Sequence, residues 1–287
     1  MATTAARALP SPPAGGWVAL AESNEAAVYE ALVRRAGLPA FEVRRHAGGV
    51  CLRSPALPTV VVVNRVIGLG VHGAVDERLL EGLLADYGAS GFGIELAEPR
   101  CSAPVLAWLK ARRFRRITQS QVVACEVTPS GGRGRYDTWA RSTGLRVERA
   151  GPGQGATLAR LCSENFKVPP LLAELVRAGT EAPGWRRWLA FDGDEPVGAS
   201  LSCVHDGCGW FGWTSVNPSH RGRWIHAGFV ARQFEDAADA GCRWITTDTA
   251  HSTRERPDPV YLNLKRFGFF DVYARPLFVR APLRQQG

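Results

Sequence analysis

Apolar residues follow two spacings along the first half of the chain. A run rich in β-branched residues at 59–67 is typical of a strand, and the leucines of residues 76–87 recur at the spacing of one helix face. A second apolar run at residues 92–96 and a short helical pattern at residues 103–111 follow, and Phe114 ends the series. The pattern predicts an α/β unit in which strands and helices alternate and central strands are buried on both faces.

The second half repeats this order at an offset of about 150 residues. An apolar run at residues 210–216 precedes a helical pattern at 225–240, a strand at 243–249 and a helix at 260–266. Turn residues also predict a hairpin (188–191 with 196–199) and a turn within 203–208. The repeat predicts a duplicated fold.

Length and composition bear on the number of domains and on the location of the protein in the cell. A chain of 287 residues is long enough for two domains. The seven scattered cysteines form no paired CxxC units, so neither a disulfide framework nor a structural zinc site is implied. No apolar stretch approaches the roughly 20 residues of a membrane span, and residues 1–16 lack the apolar core of a secretory signal. We therefore expect a cytoplasmic bacterial protein without a membrane or metal partner.

The net charge of +8 comes almost entirely from arginine, because only three of the 35 basic residues are lysines. This bias is typical of a GC-rich genome, so the charge is weak evidence for a nucleic-acid partner. A basic cluster does lie at Arg112–Arg116. A solvated surface is its default interpretation, and docking of tRNA or of an acidic carrier protein is the alternative.

The strongest candidate for chemistry is the segment from Val216 to Ala227. A strand ends at a turn containing Pro218 and enters a helix through Arg221-Gly222-Arg223. The N-terminus of a helix presents unpaired N–H groups and the positive end of the helix dipole, so this loop is suited to an anion such as a pyrophosphate.

These residues resemble the acyl-CoA loop of the Gcn5-related N-acetyltransferases (GNATs), which reads approximately V-x-P-x-x-R-G-x-G-x-G/A. Val216, Pro218, Arg221 and Gly222 match it, and Phe267-Gly268-Phe269 is similar to the family's closing xGF. The resemblance implies two tandem GNAT-like domains with mixed α/β sheets: a leader at 1–16, a degenerate domain at 17–129, a linker at 130–143 and an acyltransferase domain at 144–287. The degenerate domain has no Arg-Gly pair in its loop at 68–73.

The resemblance also implies site residues. The acyl donor would contact Ser215, Val216, Arg221, Gly222, Arg223, Trp224, Ile225 and His226, and the acceptor would contact Asn165 and Phe166. Asp248 is the candidate base. The family's tyrosine acid would fall at Leu264, so Tyr261, one turn earlier, is the candidate acid. Trp224 and His226 stand where the family's loop has glycine or alanine. This departure from the family's pattern leaves open a donor other than ordinary acetyl-CoA.

The implied function is transfer of an acyl group from acyl-CoA, with acetyl-CoA foremost, to an amine of a small molecule by direct attack in a ternary complex. Two alternatives stay open. Trp224 and the arginine cluster motivate a non-CoA donor, which would be an aminoacyl-tRNA or a carrier protein. A tRNA donor is less favoured than acyl-CoA. Leu264 motivates a catalytically silent GNAT-fold binding module.

Overall fold

The structure, a computed structural model, describes residues 11–13, 15–46, 49–71, 73–128 and 134–282. Its helices are α1 (Gly16–Ala36), α2 (Glu77–Tyr87), α3 (Ala103–Ala111), α4 (Arg135–Thr143), α5 (Gly155–Phe166), α6 (Pro170–Gly179), α7 (Ile225–Asp239) and α8 (Pro259–Arg266). Its strands are β1 (Glu42–His46), β2 (Gly49–Arg53), β3 (Arg65–Ile67), β4 (Phe92–Glu95), β5 (Arg115–Glu126), β6 (Arg146–Arg149), β7 (Trp185–Asp192), β8 (Glu195–His205), β9 (Cys208–Val216), β10 (Trp244–Ala250) and β11 (Phe270–Arg280).

All these strands form one sheet, in the order β1-β2-β3-β4-β11-β5-β10-β9-β8-β7-β6. The last strand of each half is exchanged between the halves. β11, from the second half, lies between β4 and β5 of the first, and residues 120–126 of β5 pair with β10 of the second. The two halves therefore share one hydrogen-bonded sheet, whose middle consists of the two exchanged strands.

Helix α1 also joins the halves. It packs against α6, and the approach is close at Gly179, where an added Cβ would lie 2.4 Å from the Leu32 carbonyl oxygen. One hydrophobic cluster includes Leu32 of α1 together with Leu175 of α6 and Leu201 of β8. The apolar face of α1 is thus buried by residues of the second half as well as by β1 and β2 of the first half.

Buried charges lie beneath α1 at the middle of the sheet. Arg275 of β11 is 1% exposed and contacts both Glu22 and Glu25 of α1 as well as Asp248 of β10, whose Oδ2 lies 3.0 Å from Arg275 Nη2. Burial disfavours the charge of Arg275, but the surrounding carboxylates, Glu25 foremost, outweigh it and raise its pKa above the ordinary value.

The structure confirms the predicted α/β fold class and most of the predicted elements, and it corrects three segments. Residues 59–67 form a turn with a short 3-10 helix (Val61–Val63) and only a three-residue strand, β3. The predicted linker contains α4, whose Trp139 packs on Gly228 of α7. Residue 16 of the predicted leader begins α1. Residues 1–10 and 129–133 lie outside the described part of the chain.

Among the described residues, no helix combines the length and the apolar character that a membrane crossing requires.

Candidate functional site

The candidate site lies where two parallel strands of the second half separate. β9 and β10 are paired only from Cys208 to Trp210, opposite Trp244 to Thr246, and they diverge beyond these residues. On the other edge of β9 the register with β8 shifts between Ser215 and Gly212, so one extra residue is accommodated there. Trp213 lies in this bulge with a positive φ of 52°. The result is a wedge that is open along the second half of β9.

The first of two cavities in this wedge has a volume of about 620 Å³ and lies against the N-terminus of α7. It contains most of the predicted donor and acceptor residues: Asn165, Phe166, Ser215, Val216, Arg221, Gly222, Trp224, Ile225 and His226. The N–H of Asn217 donates to Val197 of β8 at 2.9 Å. Because successive N–H groups alternate between the edges of a strand, the N–H of Val216 points to the open edge and that of Ser215 to β8.

The two arginines of the loop have different partners. The Arg221 side chain is exposed and lines the cavity, and its Nε donates to the Val216 carbonyl at 3.4 Å. Arg223 does not line the cavity, because its Nη1 lies 2.5 Å from Asp192 at the end of β7. The hydrogen bond from Arg223 lowers the pKa of the Asp192 carboxyl. Of the two predicted phosphate contacts, the structure brings only Arg221 to the cavity.

Trp224 is the N-cap residue of α7 and adopts a left-handed backbone conformation (φ 59°), which glycine would adopt without strain. Its carbonyl accepts a hydrogen bond from Trp139 Nε1 at 2.8 Å, so the main chain is anchored from α4. The indole is 54% exposed at the cavity, and the Arg266 guanidinium lies 4.8 Å from the ring centroid. Trp224 therefore forms a wall of the cavity and is not part of the core.

The second cavity, of about 490 Å³, lies deeper in the wedge. The two cavities share four lining residues: Phe166, Thr214, His226 and Val260. Asp248 lines the second cavity with 33% of its side chain exposed, and Leu264 lines it as well. Phe166 packs edge to face on Trp213 at 5.8 Å. A ligand in the second cavity would thus meet a ligand in the first beside His226.

His226 is held in one tautomer by Asn263. The Asn263 Nδ2 lies 2.7 Å from His226 Nδ1, and because an amide nitrogen only donates, the ring accepts at Nδ1 and carries its proton on Nε2. Burial lowers the pKa of His226 from 6.5 to about 4, although the Asp258 carboxylate opposes this shift. At neutral pH the junction of the two cavities therefore holds a neutral imidazole that can donate one hydrogen bond.

The structure does not bring Tyr261, the predicted acid, to the site. Tyr261 lines neither cavity, and its hydroxyl donates to Asp271 Oδ2 at 2.9 Å. Burial and this carboxylate raise the pKa of Tyr261 to about 12. Residue 261 lies on the side of α8 that packs towards β11, whereas residues 260, 263 and 264 face the cavities.

The corresponding loop of the first half is filled by its own chain. The Gly68 N–H donates to Glu22 Oε2 of α1 at 3.1 Å. β3 and β4 are also tied together where they would separate, because Arg65 Nη1 lies 2.5 Å from Glu95 Oε1. A carboxylate thus stands where an anionic donor would have to bind, which gives a physical reason for the degeneracy of this half.

Several lining residues were missed by sequence reasoning. Tyr29 and Val62 of the first half line the second cavity, although they lie more than 140 residues from the loop motif. No local pattern marks such long-range contacts. Asp258 could have been found, because Asp followed by Pro is a helix-start signal, and its Oδ1 accepts from the Tyr261 N–H at 2.7 Å. No group of three or more potential metal ligands is assembled among the described residues.

Comparisons with known proteins bear on the fold. No family model matches the chain, and neither does any curated protein sequence. A GCN5-related N-acetyltransferase from Kribbella flavida is similar in structure, with a TM-score of 0.60 and 14% identity over 90% of this chain and 95% of that chain. Its counterpart from Sphaerobacter thermophilus has a TM-score of 0.57 and 15% identity over 96% and 98%.

A tandem GNAT protein from the clavulanic acid biosynthesis pathway is similar across both halves. The TM-score is 0.58, and the two chains are 13% identical over 94% of this chain and 95% of that chain. Because identities this low establish the fold alone, the conclusion concerns architecture. Together with the duplicated order of elements, these similarities show that the chain has the tandem GNAT fold.

Proposed function

We propose that the second half transfers an acyl group from acyl-CoA to the amine of a small molecule. The observation that carries the proposal is the pair of joined cavities in the wedge between β9 and β10, one at the N-terminus of α7 and one at Asp248. Two substrates can occupy such cavities at the same time, which is what direct transfer in a ternary complex requires.

The first cavity suits the donor. The turn from residue 217 to residue 224 ends at the first residues of a 15-residue helix, whose unpaired N–H groups and dipole attract a pyrophosphate. The Arg221 guanidinium adds a positive charge at the same mouth, and Arg266 lines it beside Trp224. Charge-assisted contacts of this kind contribute about 1.5–3 kcal/mol each.

The transfer step needs a group that stabilises the oxyanion and a group that accepts the proton of the amine. The Val216 N–H at the open edge of β9 and the Nε2–H of His226 are donors for the carbonyl oxygen as it becomes negative. The amine nitrogen attacks the carbonyl carbon, and the C–S bond breaks with its electron pair on sulfur. Asp248 takes the amine proton, directly or through water, and the thiolate is protonated by solvent in the open cavity.

The test compares the two loop arginines. Arg221→Ala is expected to raise the donor KM roughly 10- to 100-fold, which is the kinetic equivalent of one lost charge-assisted contact. Arg223→Ala, the matched control, should leave the donor KM almost unchanged, because Arg223 pairs with Asp192 outside the cavity. Thiol release from acetyl-CoA gives the rates.

A second measurement identifies the donor class. Thermal shift assays with acetyl-CoA, longer acyl-CoAs, deacylated tRNA and an acyl carrier protein should show stabilisation by the CoA thioesters. The absence of a response to any CoA, or equal KM changes in the two arginine variants, would contradict the proposed donor site.

A further inference from the structure

The walls of the second cavity have an unusual charge composition. Among the described residues that line it, the ionisable side chains apart from Tyr29 and the neutral His226 are the carboxylates of Asp248 and Asp258, and no lysine or arginine is present. Asp258 already accepts hydrogen bonds from the Tyr261 N–H and from Thr249 Oγ1 at 3.0 Å. Asp248 contacts Arg275 through Oδ2, but a third of its side chain is exposed where it lines the cavity, so it is the carboxylate better placed to bind a cation from solution.

The remaining wall is largely apolar and aromatic. Five aromatic side chains line the cavity: Tyr29, Phe166, Trp210, Phe211 and Trp213. Phe166 and Trp213 face the cavity as an edge-to-face pair. Aromatic faces attract both a flat hydrocarbon body and a nearby ammonium group.

The buried charges behind Asp248 favour a cation further. The network contains two guanidinium groups, Arg65 and Arg275, and four carboxylates, Glu22, Glu25, Glu95 and Asp248, so negative charges are in excess by two when all are ionised. The pKa of Glu25 is raised to about 7, chiefly by burial and also by the carboxylates of Asp248 and Glu95, whereas Arg275 and Arg65 oppose the shift. A positive ligand at Asp248 would reduce the excess.

We propose that the acceptor is a primary amine with one positive charge, an apolar and preferably aromatic body, and no anionic group. This inference rests on the proposed function and specifies its second substrate. The ammonium group binds at Asp248, and the body packs on the aromatic pair. A carboxylate or phosphate on the acceptor would find no cation in the wall and would face the excess of negative charge, which excludes amino acids and phosphorylated amines.

The first experiment compares two compounds that differ in a carboxylate alone, 2-phenylethylamine and L-phenylalanine. We expect kcat/KM for 2-phenylethylamine to be on the order of 100-fold higher, because two like charges brought together in a binding site lower the affinity by at least about 100-fold. Ethanolamine, which lacks an apolar body, and spermidine, which carries additional charges, should both be poorer acceptors than 2-phenylethylamine. Equal or better use of L-phenylalanine would overturn the inference.

A variant tests the charge argument directly. Val62→Lys places a cation in the cavity wall from the first half of the chain, and Val62→Met is the uncharged control of similar length. The lysine variant should reduce the preference for 2-phenylethylamine over L-phenylalanine at least 10-fold, and the methionine variant should retain it. An unchanged preference in both variants would mean that the acceptor does not bind in this cavity.

Binding measurements separate the failure of this inference from the failure of the proposed function. Calorimetric titration with each amine, without donor, should detect 2-phenylethylamine and not L-phenylalanine, and Asp248→Asn should weaken the former. If acetyl-CoA binds but the amines show the opposite order, the acceptor class is wrong and the donor site stands. If acetyl-CoA neither binds nor releases thiol, the proposed function fails, while amine binding still decides the chemistry of the cavity.

Discussion

The pairing of His226 with Asn263 allows one substitution to change both the tautomer and the pKa of a group at the centre of the site. In Asn263→Asp, a carboxylate replaces the amide that lies 2.7 Å from His226 Nδ1. A carboxylate only accepts, so Nδ1 must become the donor and the proton of the neutral ring moves from Nε2 to Nδ1. The donor that faces the junction of the cavities is thereby lost.

The size of the pKa change follows from the contact. An opposite charge within hydrogen-bonding distance of a buried group shifts its pKa by roughly 1–3 units in favour of the charged form. The pKa of His226 is about 4, so the variant should titrate at roughly 5–7. Loss of one donor to a developing oxyanion lowers kcat by roughly 10²–10³-fold, and we expect this loss above the raised pKa.

Heteronuclear NMR of the histidine ring nitrogens measures both quantities without any substrate. The wild-type ring should be in the Nε2–H form throughout the neutral range, and the Asn263→Asp ring in the Nδ1–H form with the higher pKa. Asn263→Leu is the uncharged control, for which the pKa should stay low. A wild-type pKa near 6.5, or an unchanged tautomer in Asn263→Asp, would refute the assignment of His226 as a neutral donor.

Two further predictions concern stability. Glu22→Ala removes the acceptor of the Gly68 N–H and of the buried Tyr273 hydroxyl, so the free energy of unfolding in urea should fall by roughly 3–5 kcal/mol. Arg34→Ala on the exposed face of α1 should change it by less than about 0.5 kcal/mol. A small loss in Glu22→Ala would show that the network contributes little. Gly222 has a φ of +82° and open space at its Cβ position, so Gly222→Ala should cost about 1–2 kcal/mol through backbone strain alone. Gly151→Ala, at a residue without a positive φ, should cost less than about 0.5 kcal/mol, and an equal loss in both would contradict the strain argument.

The exchange of β5 and β11 makes the halves interdependent. Each of these strands is hydrogen-bonded to elements of the other half, and α1 contributes Tyr29 to the cavity that we assign to the acceptor. The first half, whose own loop is filled by Glu22, thus retains a structural role, because it holds the central strands and forms part of the wall of the second cavity. This relation explains how a degenerate copy of the fold can be needed by the other copy.

The sequence determined the local features of the site. Helical spacing, the Asp-Gly turn at 206–207 and the Arg221-Gly222 loop depend on neighbouring residues, and the structure confirms the corresponding elements. Asp76 as the N-cap of α2 is local as well, since its side chain accepts from the Leu79 N–H. Short-range hydrogen bonds, backbone conformation and side-chain periodicity are encoded within a few residues, which is why they can be predicted from the chain alone.

The tertiary structure alone decided which residues share a cavity. The sequence predicts Arg223 and Tyr261 as site residues, but in the structure they are bound by Asp192 and Asp271, partners that the sequence does not reveal. The position of Arg275 behind Asp248 and the exchange of the last strands depend on contacts between segments that are far apart in sequence. Such contacts are set by packing and by the pairing of buried charges, so no single stretch of sequence contains them.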